Sequence, residues 1–278
     1  MPKIHPTAIV DDQAKLADDV EIGPYCVITG EVTLGAGCML LSTVHLNGPL
    51  TVGERCTFYP GSCIGFGAQD AKVKPGDITA GVVIGDDCIF REHANVHAAS
   101  NDHTPTKIGD RTFFMANAHA GHDSQVGDDV VLVVNSGLGG FAEVQDRAIL
   151  SGGTMVHQFG RVGRQAMTSG MTALTNDLPP YFMAVERNTV VGLNLVGMRR
   201  SGMSRDEIAA VRSAFSDVFR KHPPMNEMRE MLEERAKDSR AVGEILEFII
   251  KSKRPICPVG GRKITKSAEN HLRPESTT

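Results

Sequence analysis

No excess of positive charge runs through this 278-residue chain, in which 29 Lys and Arg stand against 33 Asp and Glu. The formal net charge of −4 offers no global basic field to hold nucleic acid or an anionic membrane. Equally absent is an apolar run long enough to span a bilayer. The Met1-Pro2-Lys3-Ile4 start lacks the apolar core of a signal peptide. A cytoplasmic protein with no integral membrane segment is the expectation. Nor does any Cys-x-x-Cys pair occur among the 6 cysteines, which removes the commonest metal and redox spacing. Cys26, Cys38, Cys56 and Cys88 instead fill one recurring slot of the pattern described next, where Ala or Ser serves equally well. With Cys63 and Cys257 isolated, all six read as packing thiols of a reducing compartment.

What the chain does have is a six-residue beat. An aliphatic or aromatic lead residue recurs from Ile4 through Val10, Leu16, Ile22 and Ile28 to Ile64, resumes at Ile84, Phe90 and Val96, and runs again from Ile108 to Leu174. Four places after each lead sits a small side chain, as at Ala14, Cys26, Ala118, Ser124 and Ala148. Glycine commonly follows the lead directly, as in Ile22-Gly23 and Ile108-Gly109. This periodicity marks a parallel β-helix, with three hexads to each triangular coil. The lead fills the interior, the small residue fits where the chain turns, and glycine is expected to permit the tight backbone.

Two interruptions, Asp70 to Val82 and Asn101 to Lys107, read as loops leaving the solenoid, and such loops tend to carry function. The first holds Lys72, Lys74, Pro75 and Gly76; the second holds His103 and Pro105. Residues 1–190 are assigned to the β-helix, 191–255 to a small helical domain and 256–278 to a flexible tail. Beyond Pro180 a Val/Asn-rich connection is expected up to Gly202. Ser204-Arg205-Asp206-Glu207 then reads as a capping box opening a helix with Ile208, Val211, Phe215, Val218 and Phe219 on one face. His222-Pro223-Pro224 stops it, and helices near 225–237 and 242–252 follow, the last with Ile245, Leu246, Ile249 and Ile250 apolar. This helical part is expected to cap the open end of the solenoid, whose flat faces favour a closed three-fold assembly.

The coil also serves as a ruler, because residues eighteen apart stack on neighbouring coils, about 4.8 Å apart. His122, Gly140 and Gln158 fall in one such column, and Asp123 follows His122 directly. His122 has the chemistry of a general base with Asp123 orienting it. Gly140 can offer a bare N–H to an oxyanion, and His157 and Gln158 can hold polar groups of a substrate. That set suits acyl transfer to an alcohol without a covalent enzyme intermediate. Two bland or rival readings stand beside it: histidines that merely decorate a polar surface, and His119 with His122 as zinc ligands, which needs a third convergent donor.

Several stretches resemble the UDP-N-acetylglucosamine 3-O-acyltransferases that begin lipid A synthesis. They are Asn117-Ala118-His119-Ala120-Gly121-His122-Asp123, the run from Gly152 through His157-Gln158-Phe159, Asp177-Leu178-Pro179-Pro180-Tyr181, His5-Pro6-Thr7-Ala8-Ile9-Val10 and Gly197-Met198-Arg199-Arg200. The resemblance runs from the start to about Ile250. It implies a mainly β fold, a left-handed parallel β-helix of hexapeptide repeats with a small C-terminal α-helical domain. It also implies a homotrimer with sites between subunits, an acyl carrier protein thioester as co-substrate, a UDP-sugar acceptor, and neither metal nor cofactor. Carried onto this sequence it implies His122 as base, Asp123 as its partner and Gly140 as the oxyanion glycine. Asp70, Lys72, His119, His157, Gln158, Asn194 and Arg200 become substrate-binding residues, and Gly170 part of an acyl-chain groove. The chain departs from the pattern at Phe141, where a histidine is usual, at Val196 for a glutamate and at Ser201 for a basic residue. These departures leave open a different nucleotide-sugar acceptor, such as a 3-amino analogue. From another class, a non-catalytic β-helical binding protein remains the alternative.

Overall fold

The computed structural model describes residues 1–74, 76–221 and 223–260. Pro75, His222 and the chain from 261 onward, three features of the reading above, lie outside the described residues. The chain is a left-handed parallel β-helix followed by a short helical region. Short strands form three flat sheets, each growing by one strand per coil. Face one carries leads such as Ile4, Ile22 and Leu40, face two Val10, Ile28 and Leu46, and face three Leu16, Leu34 and Val52. The register is the eighteen-residue coil, Lys3 opposite Glu21 and Ile4 opposite Ile22. The two loops stretch it, so that Cys63 faces Asn95 and Asn95 faces His119 while leads still face leads, Ile64 opposite Val96 and Val96 opposite Ala120.

Leads from Ile22 to Leu174 point inward and are almost wholly buried, and Cys26, Cys38, Cys56 and Cys88 are buried in the small slot as free thiols. Phe58, Phe90 and Phe114 stack through the middle, with successive ring centroids 5.0 Å apart. The glycines after the leads do a different job from the one expected. None of Gly23, Gly53 or Gly109 has a left-handed backbone; the left-handed residue lies three places after the lead and is usually not glycine, as at Arg55, Arg111, Asp123 and Phe141. What these glycines provide is clearance, since a Cβ on Gly23 would collide with the Leu41 carbonyl of the next coil.

The stretch expected to be a plain connection is structured. A hairpin, Phe182–Val185 and Thr189–Leu193, joins face one, and α1 (Leu195–Arg200) follows. Three longer helices complete the chain: α2 (Arg205–Asp217), α3 (Met225–Ala236) and α4 (Arg240–Lys251). The expected apolar face of α2 is buried, and Phe215 and Phe219 pack edge-on against Phe182, covering the last coil. On α4, Ile250 faces solvent instead of the core. Ser204 caps α2 by accepting the Glu207 N–H at 3.2 Å, but Glu207 does not complete the box. Its carboxylate accepts instead from Ser239 Oγ and the Ala241 N–H at the start of α4, where unpaired donors and the helix dipole attract it. The tail is also ordered further than expected: Ile256 bridges to Asp177 and Val259 to Val190.

Because the ring stack is sealed inside the coils, Phe90→Ala should cost about 3–5 kcal/mol of stability. Urea unfolding at fixed protein concentration checks this; a loss under about 1 kcal/mol would mean that the coils collapse around the gap.

Candidate active site

The corner between faces two and three carries the predicted column. It is assembled coil by coil, the Phe141 N–H donating to the His122 carbonyl and the Phe159 N–H to the Gly140 carbonyl, each at 2.9 Å. His122 Nδ1 lies 2.6 Å from Asp123 Oδ2. An ionised carboxylate only accepts, so this contact puts the proton on Nδ1 and leaves Nε2 with a free lone pair. A Cβ on Gly140 would fall 2.5 Å from His122 Nε2, so the imidazole rests over a residue that must be bare. Among the described residues the Gly140 N–H has no partner within the chain.

Asp123 is 6% exposed, and a carboxylate so buried needs donors on both oxygens. The second loop supplies them. The Ser100 N–H donates at 3.1 Å to each oxygen, Ser100 Oγ at 2.7 Å and Asn101 Nδ2 at 2.6 Å. Thr106 Oγ1 meanwhile accepts the Asp123 N–H at 2.8 Å. Sequence reasoning singled out His103 and Pro105 in this loop, gave Asn101 no role beyond marking its start, and left Ser100 just outside it. The available signal was their place where a lead residue is missing between Val96 and Ile108.

Beside the column, face two bears an open groove of about 470 Å³ that includes His119, Gly137, Gly139, Met155, His157 and Gln158. His119 is tied through Nδ1 to Asn95 Oδ1 at 2.5 Å, with the His97 ring 5.4 Å away. Burial, and then the neighbouring His97 and His122, push the His119 imidazole down to about 4. It is therefore neutral at physiological pH. His97, not assigned a role from sequence, links this cluster to the strand end leading into the first loop by a 2.8 Å contact from Nδ1 to the Gly67 carbonyl. Further along that loop Asp70 Oδ1 accepts the Lys72 N–H at 2.9 Å, and Lys72 is exposed. His157 and Gln158 face solvent, and the Gln158 carbonyl receives Arg254 Nη1 at 3.2 Å from the chain end.

Three predicted residues lie apart from the column. Gly170 stands one corner away, between faces one and two, where an added Cβ would meet only the Gly152 carbonyl at 3.5 Å. Asn194 is 5% exposed and serves as the N-cap of α1, accepting the Gly197 N–H and donating to the Gln165 carbonyl, both at 2.9 Å. That anchors it at the corner between faces three and one. Arg200 is exposed at the end of α1. A larger cavity, about 660 Å³, is elsewhere again, between face three and α4. Two of its ion pairs are closed, Arg161 to Glu143 at 2.8 Å and Arg164 to Glu244 at 3.3 Å, and no histidine or cysteine among the described residues lines it, so the chemistry points to the His122 corner instead. Among the described residues no group of three or more His, Cys, Asp or Glu is placed to hold a metal ion, and no helix is long and apolar enough to cross a membrane.

Known proteins share this architecture. The family profile described as "Udp N-acetylglucosamine O-acyltransferase; Domain 2" matches residues 177–257. An acyl-[acyl-carrier-protein]–UDP-N-acetylglucosamine O-acyltransferase of Azorhizobium caulinodans is 46% identical over 257 residues, 91% of this chain and 94% of its own. The protein of the same name from Thermodesulfovibrio yellowstonii is 39% identical over 259 residues, 92% of this chain and all of its own. The crystal structure of Francisella novicida UDP-N-acetylglucosamine acyltransferase superposes with a TM-score of 0.88 at 33% identity, covering 95% of this chain and 96% of that one.

A histidine kept neutral by the fold takes up its proton more readily once unfolded. The stability it contributes is therefore present above the ordinary value of 6.5 and is lost as pH falls toward about 4. Replacing His119 with Gln, which keeps a donor for Asn95 but does not titrate, should flatten the dependence of Tm on pH within that window. Parallel curves for the two proteins would assign the acid sensitivity to other groups.

Proposed function

The chain belongs to the UDP-N-acetylglucosamine O-acyltransferases, and from that premise we propose how its own residues carry the reaction. It is an acyltransferase that moves an acyl group from acyl carrier protein to UDP-N-acetylglucosamine in the first step of lipid A biosynthesis. In our reading the acceptor oxygen is the sugar 3-hydroxyl and the donor a 3-hydroxyacyl thioester. His122 Nε2 removes the hydroxyl proton as the oxygen attacks the thioester carbonyl carbon. The Gly140 N–H donates to the oxyanion that forms. When the C–S bond breaks, the imidazolium returns the proton to the departing thiolate. Asp123 fixes the tautomer and steadies the imidazolium. No covalent enzyme intermediate, metal or cofactor enters this scheme.

The observation that carries it is the 2.6 Å His122–Asp123 contact, with the free Nε2 over a glycine whose own N–H is unspent. General-base action of this kind is worth roughly 10²–10⁴ in rate. His119, His157 and Gln158 border the groove through which the sugar or the acyl chain reaches His122, with Asp70 and Lys72 on the loop beyond. Asn194 and Arg200 belong to a different corner, so we assign their nucleotide contacts to the site of a neighbouring subunit in a homotrimer. Arg suits a diphosphate, since its guanidinium can donate two parallel bonds. A cytoplasmic enzyme with reduced thiols fits this picture. A different acceptor sugar finds less support: Ser201, one of the departures, spends its hydroxyl on the Met198 carbonyl at 2.8 Å.

His122→Ala should lower kcat by roughly 10²–10⁴ while leaving the circular dichroism and oligomeric mass unchanged. Near-normal turnover in that variant would falsify the general-base assignment. Gly170→Met should leave the fold intact, given the open space around it, and shift preference among acyl carrier protein thioesters toward shorter chains. An unaltered product distribution by mass spectrometry would remove Gly170 from the acyl groove.

A further inference from the structure

One hydrogen bond fixes a point on a ring and leaves its plane free. The 2.6 Å contact with Asp123 holds Nδ1 of His122, yet the imidazole can still swing about that bond and carry Nε2 off its line. Something else must set the plane. Gly140 lies against the ring at Nε2 and Cε1, and the other contact is aromatic: the Phe141 ring meets the His122 ring edge-to-face, with centroids 5.4 Å apart and planes at 85°. Phe141 is itself held, stacked on Phe159 at 4.8 Å with the planes only 12° apart.

Nothing in the core calls for these two rings. Phe141 is 41% exposed and Phe159 52% exposed. Both occupy the left-handed corner position, at φ of 60° and 61°, which other corners fill with small polar residues such as Asn117 and Asn135 or with long ones such as Arg111 and Met171. What sets these two rings apart is their contact: they stack on consecutive coils and the lower one meets the His122 imidazole. Their backbones are pinned by the same bonds that build the site, Phe141 N–H to the His122 carbonyl and Phe159 N–H to the Gly140 carbonyl. The stack therefore moves with the column and not against it.

We propose that Phe141, backed by Phe159, is a positioning residue that sets the plane of the His122 imidazole and so aims Nε2 at the acceptor hydroxyl. The aromatic wall also shields one side of the ring from water and lies close enough to favour the imidazolium that forms after proton transfer. Phe141 touches His122 and acts through it. The inference rests on the general-base reading of His122.

Steady-state kinetics of Phe141→Ala and Phe141→Tyr, with His122→Ala alongside, test this. A ring plane left free misaligns a proton transfer without removing a substrate contact. Phe141→Ala should therefore lose about 10- to 100-fold in kcat, with KM for UDP-N-acetylglucosamine and for the acyl carrier protein thioester within about threefold of wild type. Tyr restores the ring and should return kcat to within about threefold. Thermal unfolding that matches wild type keeps the comparison free of misfolding. A wild-type kcat in Phe141→Ala overturns the proposal, and so does a loss confined to KM, which would make the ring a substrate contact. Turnover by His122→Ala would bring down the base reading itself. An inactive His122→Ala beside an unimpaired Phe141→Ala brings down only the role of the stack.

Discussion

Close stacking of one coil on the next is the constraint on which the rest of this structure depends. The coils sit at strand spacing, so every corner must let a backbone pass within contact distance of its neighbour. Two devices make that possible. A glycine after the lead leaves clearance, as at Gly23 against the Leu41 carbonyl, and a left-handed residue two places later turns the chain. The active corner uses the same devices for chemistry. Gly140 gives the clearance into which the His122 imidazole fits, and Asp123 and Phe141 are the left-handed residues that turn their chains beside it. A catalytic arrangement here needs no special loop for the base, only particular residues at positions that the repeat already defines.

The one thing the repeat cannot provide is a set of donors for a buried carboxylate. Asp123 has His122 on one oxygen, and burial makes any unmet lone pair expensive. The interruption of the repeat before Thr106 answers that need. It brings Ser100 and Asn101 across to the carboxylate, and the Thr106 hydroxyl accepts the Asp123 N–H. The strand end leading into the first loop is tied in more loosely, through the Gly67 carbonyl to His97 and onward to His119. Both interruptions thus leave the same corner of the solenoid, one fixing the His122–Asp123 pair and the other reaching that region through His97.

How much could be read beforehand follows from what is periodic. The solenoid, its inward leads, the buried cysteines and the His122–Gly140–Gln158 column were legible, because a fixed eighteen-residue coil turns sequence distance into position. The hairpin Phe182–Leu193 was not, since Val190 and its neighbours pair antiparallel at the end of face one and leave the hexad phase. Glu207 was misread for a related reason. Its capping partner is local in sequence, whereas the donors it uses belong to the start of α4, some thirty residues away. The role of the lead glycines was also misjudged, because backbone permissiveness and steric clearance give the same residue in the sequence and separate only in three dimensions.

The triangular cross-section has a further consequence for the functional unit. His122 and its groove occupy the corner and face on one side, and Asn194 is anchored through the Gln165 carbonyl at another corner. A rigid prism cannot fold those two corners together, since its faces are fixed by coil-to-coil bonds along their whole length. Residues on different corners can serve one substrate only if another copy brings its corner alongside. The family resemblance of both regions, read against this geometry, therefore favours a site completed between subunits over one contained in a single chain. On the proposed reading the flat faces of the solenoid serve as surfaces for self-association as much as walls of a core, and the repeat that stiffens the chain also suits it to that assembly.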